Sequence, residues 1–481
     1  MKNHLLLIMA AACSSLAAAT VDSVSFTQDW PWSTDIKITY ELSGVTDPVD
    51  VSVEAFDGET SLPIATPSAL RGEVCGVAAD GSHVIFLDPV KAFGRSRRAY
   101  SSFKVRVTAS ASPTNIDETL YKIFDLSNGS CTDVTRKDLL NGKWGDIETS
   151  YSRIDPNFTT DESDILIWTG VTNDVAYKTT HLVMRKIPAK NVVWQSGDPS
   201  GVTYESRDPF ARYWVKLTYD YYMAVFETTQ AQYRKIVGSL YGTTCEFTED
   251  EDSPAYPVNG TGRYNILGHP TDSSANAKGV VTGEQIIFPH NTYVRDVAKN
   301  SFCAMMWTKT GYEFNMPTGA EWEFACRGGN DTALYSGEPQ SLQNVSKLAW
   351  HSGVSGNRPT VVGSLAPNAY GLYDMLGNVF EQTSMSGNLD QGGESGSGTS
   401  SDDPVVNPLG NPNSTKDTSY TSAGTSFYHK GDTWEYYGSW KDCRSAVRCS
   451  NFNWYGTLKY VGFRFVMPAR ADGQWANHPG Q

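Results

Sequence analysis

The chain has 481 residues, 40% of them apolar and 12% aromatic, which is enough to bury more than one core, so two or three globular domains are expected. A formal net charge of −14 and a pI near 5.1 exclude the basic face that a phosphate backbone or an anionic membrane requires, so no nucleic-acid partner is expected.

Residues 1–19 have the form of an export signal. Lys2 and His4 precede the apolar run Leu5–Ala12, and Ala17-Ala-Ala19 supplies small residues for cleavage. The run is too short to span a bilayer, and no later stretch is long and apolar enough for a transmembrane segment. Lipidation at Cys13 is a second reading, though Ala10 stands where such sites usually carry Leu. The expectation is an exported protein, periplasmic or extracellular. Seven cysteines follow the leader, at 75, 131, 245, 303, 326, 443 and 449, an odd number in a disulfide-permissive compartment. None has zinc spacing, and the scattered histidines form no iron-type ligand set.

Residues 20–112 alternate apolar and polar in short runs. Asp35–Tyr40, Asp50–Ala55 and Phe103–Thr108 are the clearest, and turn clusters separate them. An all-β immunoglobulin-like sandwich with a spacer or adhesive role is expected there. Residues 113–176 are polar and turn-rich apart from Ile165–Trp168 and are expected to form a linker region. A second domain is expected over 177–470, followed by a tail at 471–481. Within it, Thr229 and Gln232 form a capping box ahead of Tyr233, Ile236, Val237 and Leu240 on one helical face. A second box, Thr318 with Glu321, precedes the stripe Trp322, Ala325 and Cys326. Ser384–Gly424, dense in Gly, Ser, Asn and Asp, is expected to be a surface excursion.

Five motifs run in a fixed order. They are Phe226-Glu-Thr-Thr-Gln-Ala-Gln-Tyr233, Tyr256-Pro-Val258, Met316-Pro-Thr-Gly-Ala-Glu-Trp-Glu-Phe-Ala-Cys-Arg-Gly-Gly329, Asn368-Ala-Tyr-Gly-Leu-Tyr-Asp-Met-Leu-Gly-Asn-Val-Phe-Glu-Gln-Thr383, and Arg444-Ser-Ala-Val-Arg448 with Gly462-Phe-Arg-Phe-Val466. With them the block from Tyr177 to Ala469 resembles the formylglycine-generating enzyme (sulfatase-modifying factor) family. The resemblance implies an α+β, loop-rich, C-type-lectin-like domain that is stabilised by calcium and disulfides. It assigns calcium ligation to Asp374, the carbonyls of Gly377 and Val379, and Glu381, hard oxygen donors around a Gly-Asn turn.

In that family two cysteines near a glycine-serine motif bind copper(I), and one attacks the substrate thiol. Here Lys430-Gly-Asp-Thr-Trp434 takes the place of that motif, and Tyr436 with Lys441 or Trp440 stands at the cysteine positions. The copper site of an active oxidase is therefore not expected to form. Thr433, Trp434, Tyr436, Trp440 and Lys441 are instead expected to line a groove for a peptide, protein or carbohydrate ligand. By the same resemblance Cys326 pairs with Cys443 in a structural disulfide. Cys75–Cys131 and Cys245–Cys303 are weaker pairings, and Cys449 is left over. Three functions remain: a binding or accessory protein without the dithiol, a copper-dependent oxidase making formylglycine on a sulfatase cysteine, and a non-haem iron sulfoxide synthase. The last lacks visible iron ligands.

Overall fold

The computed structural model describes residues 19–469 except 30, 95–98, 150–165, 198–211, 241–242, 263–265, 268–284, 287–296, 299–300, 387–396, 409–426, 435–439, 448 and 452–457. The chain divides into two compact units. Residues 1–118 and 136–146 form the first, and 119–135 with 147–481 form the second.

In the first unit, alternation builds the sheets. Ile36, Ile38, Tyr40 and Leu42 are buried along Ile36–Ser43, as are Val49, Val51, Val53 and Ala55 along Val49–Asp57, while most residues between them face outward. One antiparallel sheet runs Thr20–Gln28, Ile36–Ser43, Gly81–Leu87, Leu70–Gly72, and the other runs Thr60–Leu62, Val49–Asp57, Phe103–Ala111. Both feed one core that includes Ile38, Val51, Ile85, Leu87 and Val107. Helix Arg136–Leu140 ends beside this core, and Asn141 ties it in. The Asn141 Oδ1 accepts from Val74 N at 3.0 Å and Cys75 N at 2.7 Å, and its Nδ2 donates to the Cys75 carbonyl.

The second unit is centred on a five-stranded antiparallel sheet in the order Val466–Pro468, Tyr221–Ala224, His181–Ile187, Thr119–Asp125, Cys131–Thr135. Two of these strands lie within residues 113–176, so that region is not a linker. Thr119–Asp125 is buried on both faces, from Leu120 to Phe124, and such a strand carries no period-two signal. The expected strand near Ile165–Trp168 is present as Leu166–Trp168.

Both capping boxes form. Thr229 and Gln232 bond reciprocally at the start of helix Gln230–Val237, and Thr318 and Glu321 do so at helix Gly319–Arg327. The second helix is buried all round, with Trp322, Ala325 and Cys326 fully inside. Part of the 384–424 excursion is knitted in, since Val405–Val406 pairs with Tyr213–Lys216. A further sheet runs Cys449–Asn451, Phe427–Lys430, Phe380–Ser386, Val461–Gly462 and brings the late motifs together.

Candidate functional site

Four of the motifs converge on one buried charge cluster. Arg464, from Gly-Phe-Arg-Phe, grips Glu381 in a fork. Its Nε donates to Oε2 at 2.6 Å and its Nη2 to Oε1 at 2.5 Å, with both residues at most 1% exposed. Trp322 Nε1 donates to the same Oε2 at 2.6 Å. Glu227, from Phe-Glu-Thr-Thr, accepts from Asn378 Nδ2 at 2.6 Å and from Val379 N at 3.1 Å, and so clamps the Gly377–Val379 turn. Asp374 and Asn378 hold positive φ of 54° and 59° there, values that Asp and Asn tolerate best among side-chain-bearing residues. Asp374 Oδ2 accepts from Gly363 N at 2.6 Å, while its buried Oδ1 finds no partner among the described residues. Burial pushes the Asp374 carboxyl up to about 6. Burial and the neighbouring Asp374 and Glu381 carboxylates hold Glu227 well above the carboxylate range.

Asp374, Gly377, Val379 and Glu381 thus lie on one turn and strand. Glu381 spends both oxygens on Arg464 and Trp322, which leaves Asp374 Oδ1 as the one open carboxylate oxygen of the set. Among the described residues no group of three or more His, Cys, Asp or Glu is arranged around a metal position. Glu227 and Arg464 were not singled out from the sequence. Arg464 is a lone charge in the apolar run Val461–Val466, which is an available signal, whereas Glu227, followed by Thr228, Thr229 and Gln230, carries none.

Beside this cluster lies a second one. Glu323 accepts from Lys430 Nζ at 3.1 Å, Arg327 Nη2 at 2.8 Å, Ser196 Oγ at 3.1 Å and Gly197 N at 2.8 Å, all at 0–1% exposure for the charged side chains. Cys326 and Cys443 belong to the same apolar core yet form no disulfide. Cys326 Sγ donates to the Met375 carbonyl at 3.8 Å and bonds the side chain of Ser445, which takes the position beside it. Cys443 Sγ donates to Asp432 Oδ2 at 3.1 Å. Burial pushes the Cys326 thiol up to about 12. Cys75, Cys131, Cys245 and Cys303 are likewise thiols, so the two weaker pairings are not formed either.

The expected groove is not brought together. Thr433 and Trp434 are 0% and 1% exposed. Thr433 Oγ1 donates to the Asn378 and Tyr460 carbonyls at 3.5 Å, and Trp434 packs edge-on to Phe247 with Lys459 Nζ 5.7 Å from its ring. Both are core residues, because the strand that ends at Lys430 carries them inward. Trp440 packs half-buried on the main core, and Lys441 is exposed, its Nζ 5.9 Å from the Trp440 ring. Tyr436 lies outside the described residues. Copper(I) would need two accessible soft thiolates here, and buried Cys326 and Cys443 do not fit that need.

The interlocked motifs, the two capped helices and the clamped Gly-Asn turn define a sulfatase-modifying-factor domain. The sulfatase-modifying factor enzyme 1-like domain matches residues 187–469, more than half of the chain, and the chain belongs to that family. It is 27% identical to the chaperone protein LppX of Paenibacillus barcinonensis, over 34% of this chain and 61% of that one. It is 36% identical to the formylglycine-generating enzyme of Mus musculus, over 14% of this chain and 21% of that one. Treponema denticola variable protein 1 superposes with a TM-score of 0.38 at 21% identity, over 60% of this chain and 95% of that one. The chain spans less than two thirds of the length of the curated relatives it matches. No helix among the described residues is long and apolar enough to cross a membrane.

Proposed function

We propose that this chain is an exported binding or accessory member of its family, one that does not run the copper-dependent oxidation of a sulfatase cysteine. One observation carries the reading: Cys326 and Cys443, the described thiols nearest the Lys430–Trp434 segment, are both 0% exposed and bonded inward. A thiol shut away from solvent neither ligates copper(I) nor attacks a substrate. Trp440 with Lys441 beside it is the accessible remnant of the groove, an aromatic face and a cation suited to a peptide, protein or carbohydrate. The name of the Paenibacillus relative, a chaperone, agrees with an accessory role toward another protein. In this reading the N-terminal β unit is an immunoglobulin-like spacer. The test incubates the protein with copper(I), oxygen and a CxPxR sulfatase peptide and follows the peptide by mass spectrometry. Unchanged cysteine is expected, and formylglycine above the protein-free control overturns the proposal.

A further inference from the structure

We propose that the acidic segment 244–252 is a built-in occupant of the pocket over Trp434, and that the pocket's partner is a peptide of the same chemistry, an aromatic anchor flanked by carboxylates. The proposal rests on the binding reading above and names the class of ligand. Phe247 fills the pocket. Its ring packs edge-on to Trp434 with 6.2 Å between centroids, and the Arg358 guanidinium lies 5.1 Å from its centre. Arg358 also lies 5.8 Å from the Tyr256 ring and donates to Tyr256 Oη at 3.0 Å, while Lys459 Nζ lies 5.7 Å from the Trp434 ring. The pocket is therefore two rings and two cations, which suit a ligand that is both aromatic and anionic.

The segment answers those groups one for one. Glu246, just before Phe247, pairs with Lys459 at 3.3 Å, and Asp250, three residues after it, pairs with Arg358. A carboxylate on each side of the anchor thus meets one cation of the pocket. All four charged side chains are 36–44% exposed. Ion pairs so exposed are weak and screened by salt, so they hold the segment lightly.

The backbone supplies a second, independent observation. Phe247 holds a φ of 58°, and every other described non-glycine residue at positive φ is Asn or Asp. A large aromatic side chain is strained there, and such strain persists only where surrounding contacts impose it. Glu249, Asp250, Glu251 and Asp252 repel one another along the same segment. Phe247 nevertheless stays seated, so the pocket's grip on an aromatic anchor outweighs both costs. The occupant also leaves the pocket incomplete. Trp434 is 1% exposed, and its Nε1 finds no partner among the described residues. An unstrained peptide with the same anchor and carboxylates, and an acceptor for that indole, competes on better terms. The segment's start remains tied, with Thr244 N donating to the Gly260 carbonyl at 3.2 Å and Cys245 Sγ to the Asn259 carbonyl at 3.2 Å. Displacement therefore frees 246–252 and leaves the connection before it in place.

The experiment follows, by fluorescence anisotropy, a fluorescein-labelled peptide that copies 244–252 with serine for the cysteine. The full chain carrying Phe247→Ala should bind it at least about tenfold more tightly than the unaltered chain, whose own segment competes intramolecularly. Replacing the peptide's phenylalanine by alanine should weaken binding about tenfold, and so should Arg358→Gln added to Phe247→Ala. Raising sodium chloride from about 50 to about 500 mM should weaken it severalfold. No saturable binding to Phe247→Ala, equal binding by the unaltered chain, or equal binding of the peptide without its phenylalanine each overturns the pocket. Should Phe247→Ala not fold, Glu246→Gln with Asp250→Asn loosens the segment from the surface, and the same outcomes decide. Formylglycine formation would overturn the binding reading and leave the peptide result standing, whereas absent peptide binding overturns the pocket and leaves the thiol argument untouched.

Discussion

Replacing Arg464 by Ala tests whether the domain is held by its buried charges. The guanidinium satisfies both oxygens of Glu381, at 2.5 and 2.6 Å. It also donates to the carbonyls of Ala224 at 3.2 Å, Val225 at 3.4 Å, Tyr373 at 2.9 Å and Asp374 at 3.4 Å. Its loss leaves Glu381 buried with one remaining side-chain donor, Trp322, and strips donors from four carbonyls on two chain segments. Breaking a buried ion pair from one side costs about 3–5 kcal/mol, because the surviving charge is uncompensated. The uncompensated negative charge also faces the carboxyls of Asp374 and Glu227, which Arg464 pulls down. Urea unfolding followed by tryptophan fluorescence reads the result, since Trp322 touches the pair. Arg464 lies in the second compact unit, so the transition to follow is that of the second unit. Arg464→Lys should fall between the parent and the Ala variant, keeping charge without the fork. Arg464→Met with Glu381→Leu should recover much of the loss, as matched apolar replacements of buried pairs do. A loss under about 1 kcal/mol in Arg464→Ala would refute the reasoning.

Asp374→Asn removes a buried carboxyl raised to about 6 while keeping a residue that tolerates its positive φ. A raised folded-state value means that the folded protein holds the proton more tightly. Stability is therefore highest at low pH and falls as pH rises from about 4 through about 6, and the variant should gain about 1–3 kcal/mol at pH 7 and flatten that slope in urea titrations. Chelation with EGTA should move the melting temperature of the second unit by no more than about 1 °C, because Glu381 is committed to Arg464, and a fall of many degrees restores a structural calcium site. Thr318→Ala removes the cap of the Gly319–Arg327 helix, bonded at 3.1 Å to Glu321 N, and should cost about 1–2 kcal/mol by the same unfolding assay. Ser445→Cys places a thiol beside Cys326. A disulfide detected by mass shift on oxidation is the expected result, and its formation between Cys326 and Cys443 in the unaltered chain would contradict the packing seen.

What the sequence disclosed was local. Capping boxes are written in four consecutive residues, and the alternation of Ile36–Ser43 or Val49–Asp57 is visible at a glance, so these elements could be read directly. Thr119–Asp125 escaped because it is buried on both faces, and the turn-rich stretch around it resembles a linker. The groove failed for a related reason. Thr433 and Trp434 were placed by counting from a motif, and counting does not say that the strand before them turns inward. The disulfide failed by two positions, with Ser445 where a cysteine would have been needed. The pairing of Glu227 with the Gly-Asn turn, and of Arg464 with Glu381, joins residues remote in sequence, and no periodicity announces such a contact.

These outcomes share a physical basis. A domain with short strands and long connections cannot rely on sheet ladders to fix its loops, so it fixes them with buried, multiply bonded polar residues. Glu227 holds the turn through Asn378 and Val379, Arg464 holds the strand after it, and Glu323 gathers Lys430, Arg327 and Gly197. Each of these is a motif residue, and each is explained by architecture before any chemistry is invoked. The motifs that establish the family therefore report a scaffold, and a shared scaffold does not by itself carry a shared reaction. A residue outside that scaffold logic is then the more informative one. His429 is buried with a ring nitrogen, Nδ1, that the described architecture does not use.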